Sequence, residues 1–521
     1  MAQTQPPHSL DNSTIHSNNK IKWNIGVDTG GTFTDCVARH IDGRIARAKV
    51  LSTSAFRGVV RGGSEHSLVV EFTSDLSLKN IAEFFAGFVI HGVSDAMTNV
   101  EHKARQIAHS ESWRVEKAQL LESGYVEFQI GNNLSKTTAP HEKTHGLTEK
   151  NRAMSNMANA HGVYPLGSFV DFVAPFEAPI LAARLAIDRP FPQPLDDCRI
   201  CIGTTRGTNA LLQGRVSAVT LFVNEGLEDI LRIGDQRRMD IFAAAPRKPP
   251  TLEKNSVGVS ARMKFDGNQL TAVDEPALRA LVQSGVAAGN TIAAVALMHA
   301  GVNPAHEIRV AQILREEGFA WISLSHQCGS TSRFEPRARA AVIDAALSGP
   351  VGEFINSVQS GAAGADIFMM TSAGGLTPVG AFAPRESLLS GPAGGVASAG
   401  AIAHECGFAR CVTLDMGGTS TDVARVDGTP EMRDETNVGG AIIASPCVAV
   451  ESVAAGGGSI LWWDGEARRV GPQSAGATPG PACYGAGGPL TLTDAHLILG
   501  HIDAKKNANS NFTSRCNEAC E

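Results

Sequence analysis

Two short stretches of this chain repeat one arrangement of glycine, threonine and aspartate. "DTGGTFTD", Asp28–Asp35, and "DMGGTSTD", Asp415–Asp422, agree at six of eight positions. Glycines let backbone N–H groups face phosphate oxygens, and threonine hydroxyls add donors at short range. Read this way, Gly30, Gly31, Thr32 and Thr34 of the first loop and Gly417, Gly418, Thr419 and Thr421 of the second are phosphate contacts. A carboxylate beside a polyphosphate is repelled unless a cation lies between them. Asp28 and Asp415 therefore imply Mg²⁺, held through water, and are the expected catalytic and metal-serving positions. Asp35 and Asp422, which end the loops, either join that chemistry or brace their turns. Two ordinary Gly-Gly hairpins would explain the glycines, but neither the threonines nor the aspartates. Two such loops on one chain would instead grip a single nucleotide from both sides of a cleft.

The elements that must carry these loops are short strands. Trp23–Val27 alternates into one, Cys36–Ala38 begins its return, and "CVTL" leads into the second loop, so each loop is the tip of a strand pair. Between Pro276 and Met370 helical and apolar strand patterns alternate. A helix over Pro276–Val286 precedes the strand "TIAAVALM", and a second helix opens with Asn303 as cap and Pro304 at its first position and stops at Gly318. "WISLS" follows as a strand, then helix over Pro336–Val358, then the strand "DIFMM". Such alternation buries strands between helix layers. "SGPAGGVASAGAIA", Ser390–Ala403, reads as a helix of small residues, either a plain buried helix or one that lets another backbone approach closely. Residues 54–178 break this texture and read as a β-rich insertion with a long polar loop from Asn132 to His161.

Composition excludes several classes. A net charge of -7 over 521 residues gives no general attraction to nucleic acid or acidic lipid, so phosphate must be held locally. With 43% hydrophobic and 19% charged residues the chain can bury real cores and spans more than one domain. Its ten cysteines are scattered, which suits a reducing cytoplasm rather than a disulfide framework. "CRIC", Cys198 to Cys201, lacks the second pair that a zinc site needs and reads as buried thiols in a strand. His299, His306 and His326 fit no compact ligand spacing. The polar N-terminus is no secretory signal, and no apolar run approaches the ~20 residues needed to cross a bilayer.

The paired loops resemble those of the superfamily of actin, hexokinase and the heat-shock chaperone ATPases. Neither loop has the lysine of a P-loop, and no "GxGxxG" follows a strand. The closer resemblance is to the A subunit of hydantoinases and 5-oxoprolinases, or the A part of A/B fusions. It is carried by "GTTRGTNALLQGR" (Gly203 to Arg215), "SAGGLTP" (Ser372 to Pro378), "SGPAGGV" (Ser390 to Val396), "LDMGGTSTDVA" (Leu414 to Ala424), "AAGGGSI" (Ala454 to Ile460) and the segment from Val470 to Gly500.

The resemblance implies an α/β fold with duplicated actin-like ATPase (ribonuclease H-like) domains. The first would hold residues 23–53 and 179–400, the β-rich insertion 54–178, and the second, incomplete at its C-terminal side, 401–504; residues 1–22 and 505–521 are polar tails. It also implies that ATP phosphorylates the carbonyl oxygen of a cyclic amide, of 5-oxoproline or hydantoin type, before water opens the ring with a B-type subunit. An oligomer is expected, without nucleic acid or membrane. Carboxylase relatives activate ketones similarly, and a shortened second domain leaves open a non-catalytic nucleotide-binding chain. Gly456, Gly457 and Gly458 would lie against the adenosine, or form a simple tight turn. Thr205, Arg206, Thr208 and Asn209 either meet a substrate carboxylate or cap a helix without ligand.

Overall fold

A computed structural model describes residues 21–502 apart from 31–32, 65–66, 73–83, 86–87, 94–111, 122–124, 134–168, 192, 235, 237–241, 243, 245–250, 288–290, 330–331, 439–440, 444, 477–478 and 485–486. The chain divides into two compact units, one of residues 1–202 and 356–369, the other of residues 203–355 and 370–521. Most of the polar loop expected from Asn132 to His161 lies outside the described residues.

The first unit contains a sheet in the strand order Asp366–Met370, Cys198–Thr204, Trp23–Thr29, Phe33–His40, Ile45–Leu51. Its last three strands form an antiparallel meander, whereas Cys198–Thr204 pairs in parallel with Asp366–Met370. Alternation decides which side is covered. Ile25, Val27, Cys36 and Ala38 face inward and are buried, and helix Ala178–Ala186 packs over that meander with Ile180, Leu181, Ala182 and Ala183 fully buried. Arg184 of this helix is buried, and among the described residues it has no carboxylate partner. Its guanidinium instead donates to the carbonyls of Pro190, Gln193 and Gly361 and lies 5.6 and 5.5 Å from the ring centres of Phe176 and Phe191. Burial pushes its pKa down to about 10, which leaves it charged at neutral pH.

The β-rich insertion is a closed barrel in the order Ala55–Ser64, Ser67–Phe72, Val126–Asn133, Ser112–Leu120, Val89–Val93, Phe169–Val173. Every adjacent pair is antiparallel, so closure leaves no free edge. Phe85, Phe128 and Phe172 are fully buried, and the rings of Phe128 and Phe172 stand 4.4 Å apart. Phenyl rings thus form a packed core there.

The second unit holds a parallel sheet ordered Glu253–Val259, Val219–Asn224, Ile292–Ala296, Trp321–Leu324. Every residue of Val219–Asn224 is buried, as a central parallel strand requires. Val219, Leu221 and Val223 pack with Ala338, Ala341 and Ala345 of helix Phe334–Gly361. Phe222 joins the opposite cluster, with Leu278 and Val282 of helix Glu275–Ala287 and Val310, Ile313 and Leu314 of helix Ala305–Glu316. The helix begins at Ala305 with Pro304, not Asn303, at its N-cap; Asn303 lies one residue before it and its Oδ1 accepts from the Ala305 N–H at 3.0 Å.

The small-residue run forms helix Ser390–Glu405, which packs on the antiparallel pair Arg410–Met416 and Thr421–Asp427. Ala393 and Val396 meet Ala424, Val426 and Val448 there. A Cβ at Gly400 would approach Val426 Cγ1 to 3.2 Å, so small residues are what let this helix lie so close to the strands. The helix thus packs against the strands that carry the second loop.

Candidate functional site

The two repeated loops have the same register. In the first, Asp28 faces Asp35, Thr29 faces Thr34, and Gly30 N–H donates to Phe33 O at 3.0 Å. In the second, Asp415 faces Asp422, Met416 faces Thr421, and Gly417 N–H donates to Ser420 O at 2.9 Å. Each is a hairpin tip of four residues, with an exposed aspartate, Asp28 or Asp415, one residue before the last strand position. Gly31 and Thr32 lie outside the described residues.

The second threonine of each loop turns inward, away from the expected phosphate role. Thr34 is fully buried, its Oγ1 3.0 Å from Ser52 Oγ, and Ser52 donates to Gly30 O at 2.9 Å. Thr421 is buried and donates to Ala455 O. Both hydroxyls hold the loop from beneath, because strand alternation sends positions 34 and 421 to the covered face. The closing aspartates brace. Asp35 accepts from Lys49 Nζ at 2.8 and 2.9 Å, and Asp422 accepts from Ser452 Oγ, each across a strand pair.

A second segment supports the second loop. Gly457 N–H donates to Gly417 O at 2.9 Å, and Gly458 N–H donates to Gly418 O at 2.7 Å. The contact is too close for side chains. A Cβ at Gly456 would lie 2.6 Å from Thr419 N and 2.7 Å from Gly418 O, and one at Gly458 would lie 2.9 Å from Gly418 O. The glycines expected to meet a nucleoside thus have a prior reason for being glycine: they pack backbone on backbone against the loop. A trans peptide points its N–H opposite to its C=O. With the carbonyls of Gly417 and Gly418 held by Gly457 and Gly458, the N–H groups of Gly418 and Thr419 are directed away from those donors. Gly418 is exposed, and a Cβ there would meet nothing within 4 Å.

The support continues into helix Leu492–Ile498, which sequence reasoning did not connect to the loop. Thr493 N and Oγ1 donate to Gly457 O at 2.8 and 2.9 Å. One residue on, the buried Asp494 carboxylate accepts from Cys483 N at 2.8 Å, Thr491 N at 2.7 Å and Thr491 Oγ1 at 2.8 Å. Burial alone would raise the Asp494 pKa, but the hydrogen bonds from Cys483 and Thr491 outweigh it and hold the carboxyl below its ordinary value. The available signal was "TLTD", a capping-box pattern at a helix start.

The polar run at Thr205–Asn209 serves local structure rather than presenting free donors. Asn209 Nδ2 donates to Thr205 Oγ1 at 3.1 Å, Thr208 Oγ1 accepts from Leu389 N at 3.1 Å, and Ser390 Oγ donates to Thr204 O at 2.9 Å. The Arg206 guanidinium sits 5.3 Å above the Phe354 ring. Leu389 is held in the left-handed region, with φ 55°, by this clasp at the entry to helix Ser390–Glu405. The substrate role expected of Thr205, Arg206 and Asn209 thus competes with contacts they already make.

The histidines do not gather. His306 Nε2 lies 3.1 Å from Gln269 Oε1, and His326 Nδ1 lies 2.6 Å from Glu307 Oε2. Among the described residues no group of three or more His, Cys, Asp or Glu side chains could hold a metal ion. Cys198 and Cys201 lie in the strand Cys198–Thr204, and burial pushes the Cys198 thiol up to about 12 and raises that of Cys201.

Residues 24–81 and 183–318 match the hydantoinase/oxoprolinase N-terminal region, and residues 337–517 match hydantoinase/oxoprolinase. The chain belongs to the hydantoinase/oxoprolinase family. Among family relatives, 5-oxoprolinase 1 of Arabidopsis thaliana is 37% identical over 335 residues, covering 58% of this chain and 26% of that protein. Caprolactamase subunit alpha of Pseudomonas jessenii is 31% identical over 335 residues, covering 61% of this chain and 48% of that protein. The chain therefore spans about a quarter to a half of the length of these relatives. An acetone carboxylase in nucleotide-free form superposes with a TM-score of 0.56 at 20% identity, over 93% of this chain and 56% of that chain. This likeness shows a shared mixed α/β fold.

Proposed function

We propose that this oxoprolinase-family chain supplies the ATP-using part of a cyclic amide hydrolase, with the second glycine loop binding phosphate. One observation carries the reading: Gly457 and Gly458 hold the carbonyls of Gly417 and Gly418 from one side, which directs the Gly418 and Thr419 N–H groups the other way. Adjacent outward amides make an anion nest. Gly418 has neither a packing nor a φ reason to be glycine, so close approach of a ligand is the remaining one.

Phosphate contacts are accordingly assigned to Gly30, Gly31, Thr32, Gly417, Gly418 and Thr419, with Thr34 and Thr421 removed because their hydroxyls are buried and engaged. The shared register of the two hairpins, each backed by one helix, supports reading them as duplicated actin-like ATPase domains. Asp28 and Asp415 are each an exposed carboxylate at the base of its loop, a ligand of the kind Mg²⁺ takes while keeping most of its waters. There the ion would neutralise phosphate charge.

The reaction would transfer the γ-phosphoryl group to the amide carbonyl oxygen. Water then adds to the carbon, the C–N bond breaks as nitrogen takes a proton, and a second water hydrolyses the resulting acyl phosphate to carboxylate and phosphate. Phosphorylation removes amide resonance and makes the oxygen a leaving group; this chain's contribution is positioning and charge neutralisation. 5-Oxoproline, hydantoins and lactams are the substrate class, and a B-type subunit is the expected partner in ring opening. That relatives include a caprolactamase subunit alpha supports both. A ketone substrate is the second reading, favoured by the fold likeness to acetone carboxylase.

The test is ADP production from MgATP across 5-oxoproline, hydantoin, caprolactam and acetone with bicarbonate, with and without a B-type subunit. Stimulation by a cyclic amide supports the first reading, and stimulation by acetone alone supports the second. Nucleotide binding without turnover on any of them would remove both.

A further inference from the structure

We propose that Thr493 is a positioning residue of the second glycine loop, acting through two peptide units to aim and strengthen the amide N–H of Thr419. The inference rests on the phosphate-binding reading above. Thr493 gives Gly457 O two donors, its backbone N–H at 2.8 Å and its Oγ1 at 2.9 Å. The Gly457 carbonyl shares a planar peptide with the Gly458 N–H, which donates to Gly418 O at 2.7 Å. The Gly418 carbonyl in turn shares its peptide with the Thr419 N–H. Donors and acceptors therefore run head to tail from Thr493 through peptide 457–458 and peptide 418–419, ending on a proton directed away from Gly458.

Two consequences follow from elementary electrostatics. Each hydrogen bond in such a chain polarises the next peptide, so the Thr419 N–H is a stronger donor than an isolated amide. The loop's orientation is also tied to a helix start. Asp494 fixes that start by gathering the amides of Cys483 and Thr491, so Thr493 cannot drift from Gly457 without breaking those bonds. The fit is tight, since a Cβ on Gly457 would stand 2.7 Å from Thr493 Oγ1. Thr493 touches the nucleotide in none of this; it acts through Gly457 and Gly418.

The experiment compares the full chain with Thr493→Val, which keeps shape and backbone N–H but loses the hydroxyl donor, and Thr493→Ser, which restores it. MgATP affinity is read by calorimetry, and the Thr419 amide is read by NMR on [¹⁵N]threonine-labelled protein, assigned with Thr419→Ser. Thr493→Val is expected to weaken MgATP binding roughly five-fold, the effect of one net hydrogen bond, and to move the Thr419 amide proton upfield. Thr493→Ser is expected to recover both. Should Thr493→Val not fold, Thr493→Ala carries the same comparison. Unchanged affinity with an unmoved Thr419 resonance in a folded Thr493→Val would overturn the proposal. Failure of the unmutated chain to bind MgATP would remove the phosphate reading instead, and the Thr419 resonance would still decide whether the relay exists.

Discussion

The Gly458 amide meets the Gly418 carbonyl at 2.7 Å, joining two loops 40 residues apart in sequence by backbone alone. Gly458→Ala would place a methyl group 2.9 Å from Gly418 O and 2.8 Å from Ser474 Oγ. Forcing that space open costs about 1–3 kcal/mol, and the displaced loop no longer aims its amides. Calorimetry should show MgATP binding lost together with a lowered melting temperature.

Gly418→Ala separates the two effects. Its methyl group meets nothing within 4 Å, so the melting temperature should stay near that of the unmutated protein, within ~0.5 kcal/mol of stability. MgATP affinity should nonetheless fall, because the methyl group occupies the approach to the Gly418 and Thr419 amides. Unchanged affinity in this variant would argue against phosphate lying there.

Asp415→Ala removes an exposed carboxylate, and thermal unfolding should barely change while Mg²⁺-dependent ADP formation is abolished. Asp35→Ala makes the contrast on the first loop. It breaks a surface ion pair with Lys49, worth about 0–1 kcal/mol, and should leave ADP formation nearly intact.

Thr34→Val tests the bracing role. The buried hydroxyl of Thr34 and that of Ser52 lie 3.0 Å apart beneath Gly30. Losing it should destabilise the protein by about 1 kcal/mol, seen as a lower urea midpoint with unchanged slope. Thr34→Ser, which keeps the hydroxyl, should recover much of the loss.

Acid should act through Asp494. Its carboxyl is more acidic in the folded protein than its ordinary 3.8, so on acidification the unfolded chain takes up the proton first. The stability it contributes is present above pH ~3.8 and lost as pH falls below that value. In urea titrations from pH 6 to pH 3, the gap between the unmutated chain and Asp494→Asn should be widest at pH 6 and narrow toward pH 3. A gap that widens with acid would reverse the assignment.

What was legible from residues alone depended on local periodicity and on repetition. The six shared positions of "DTGGTFTD" and "DMGGTSTD" already implied equal hairpins, and the structure has both closed by the same bond, Gly30 to Phe33 and Gly417 to Ser420. The alternation from Pro276 to Leu324 likewise announced a sheet between helices, because buried parallel strands must be apolar on both faces, whereas the strand Asp366–Met370 joins the other sheet. Closure of the barrel over residues 55–173 was not legible, since strand pairing order leaves no mark on composition.

By itself, then, the sequence determined which loops bear glycine, threonine and aspartate, and in what register, because hairpin pairing is a short-range property of a few residues. Only the tertiary structure decided which of those groups face outward. Thr34 and Thr419 are the same residue type, yet one is buried against Ser52 and the other is exposed at a hairpin tip. That Gly457, Gly458 and Thr493 stand behind the second loop was also decided there. Backbone hydrogen bonds between distant segments are made by atoms every residue possesses, so no side chain announces them in advance.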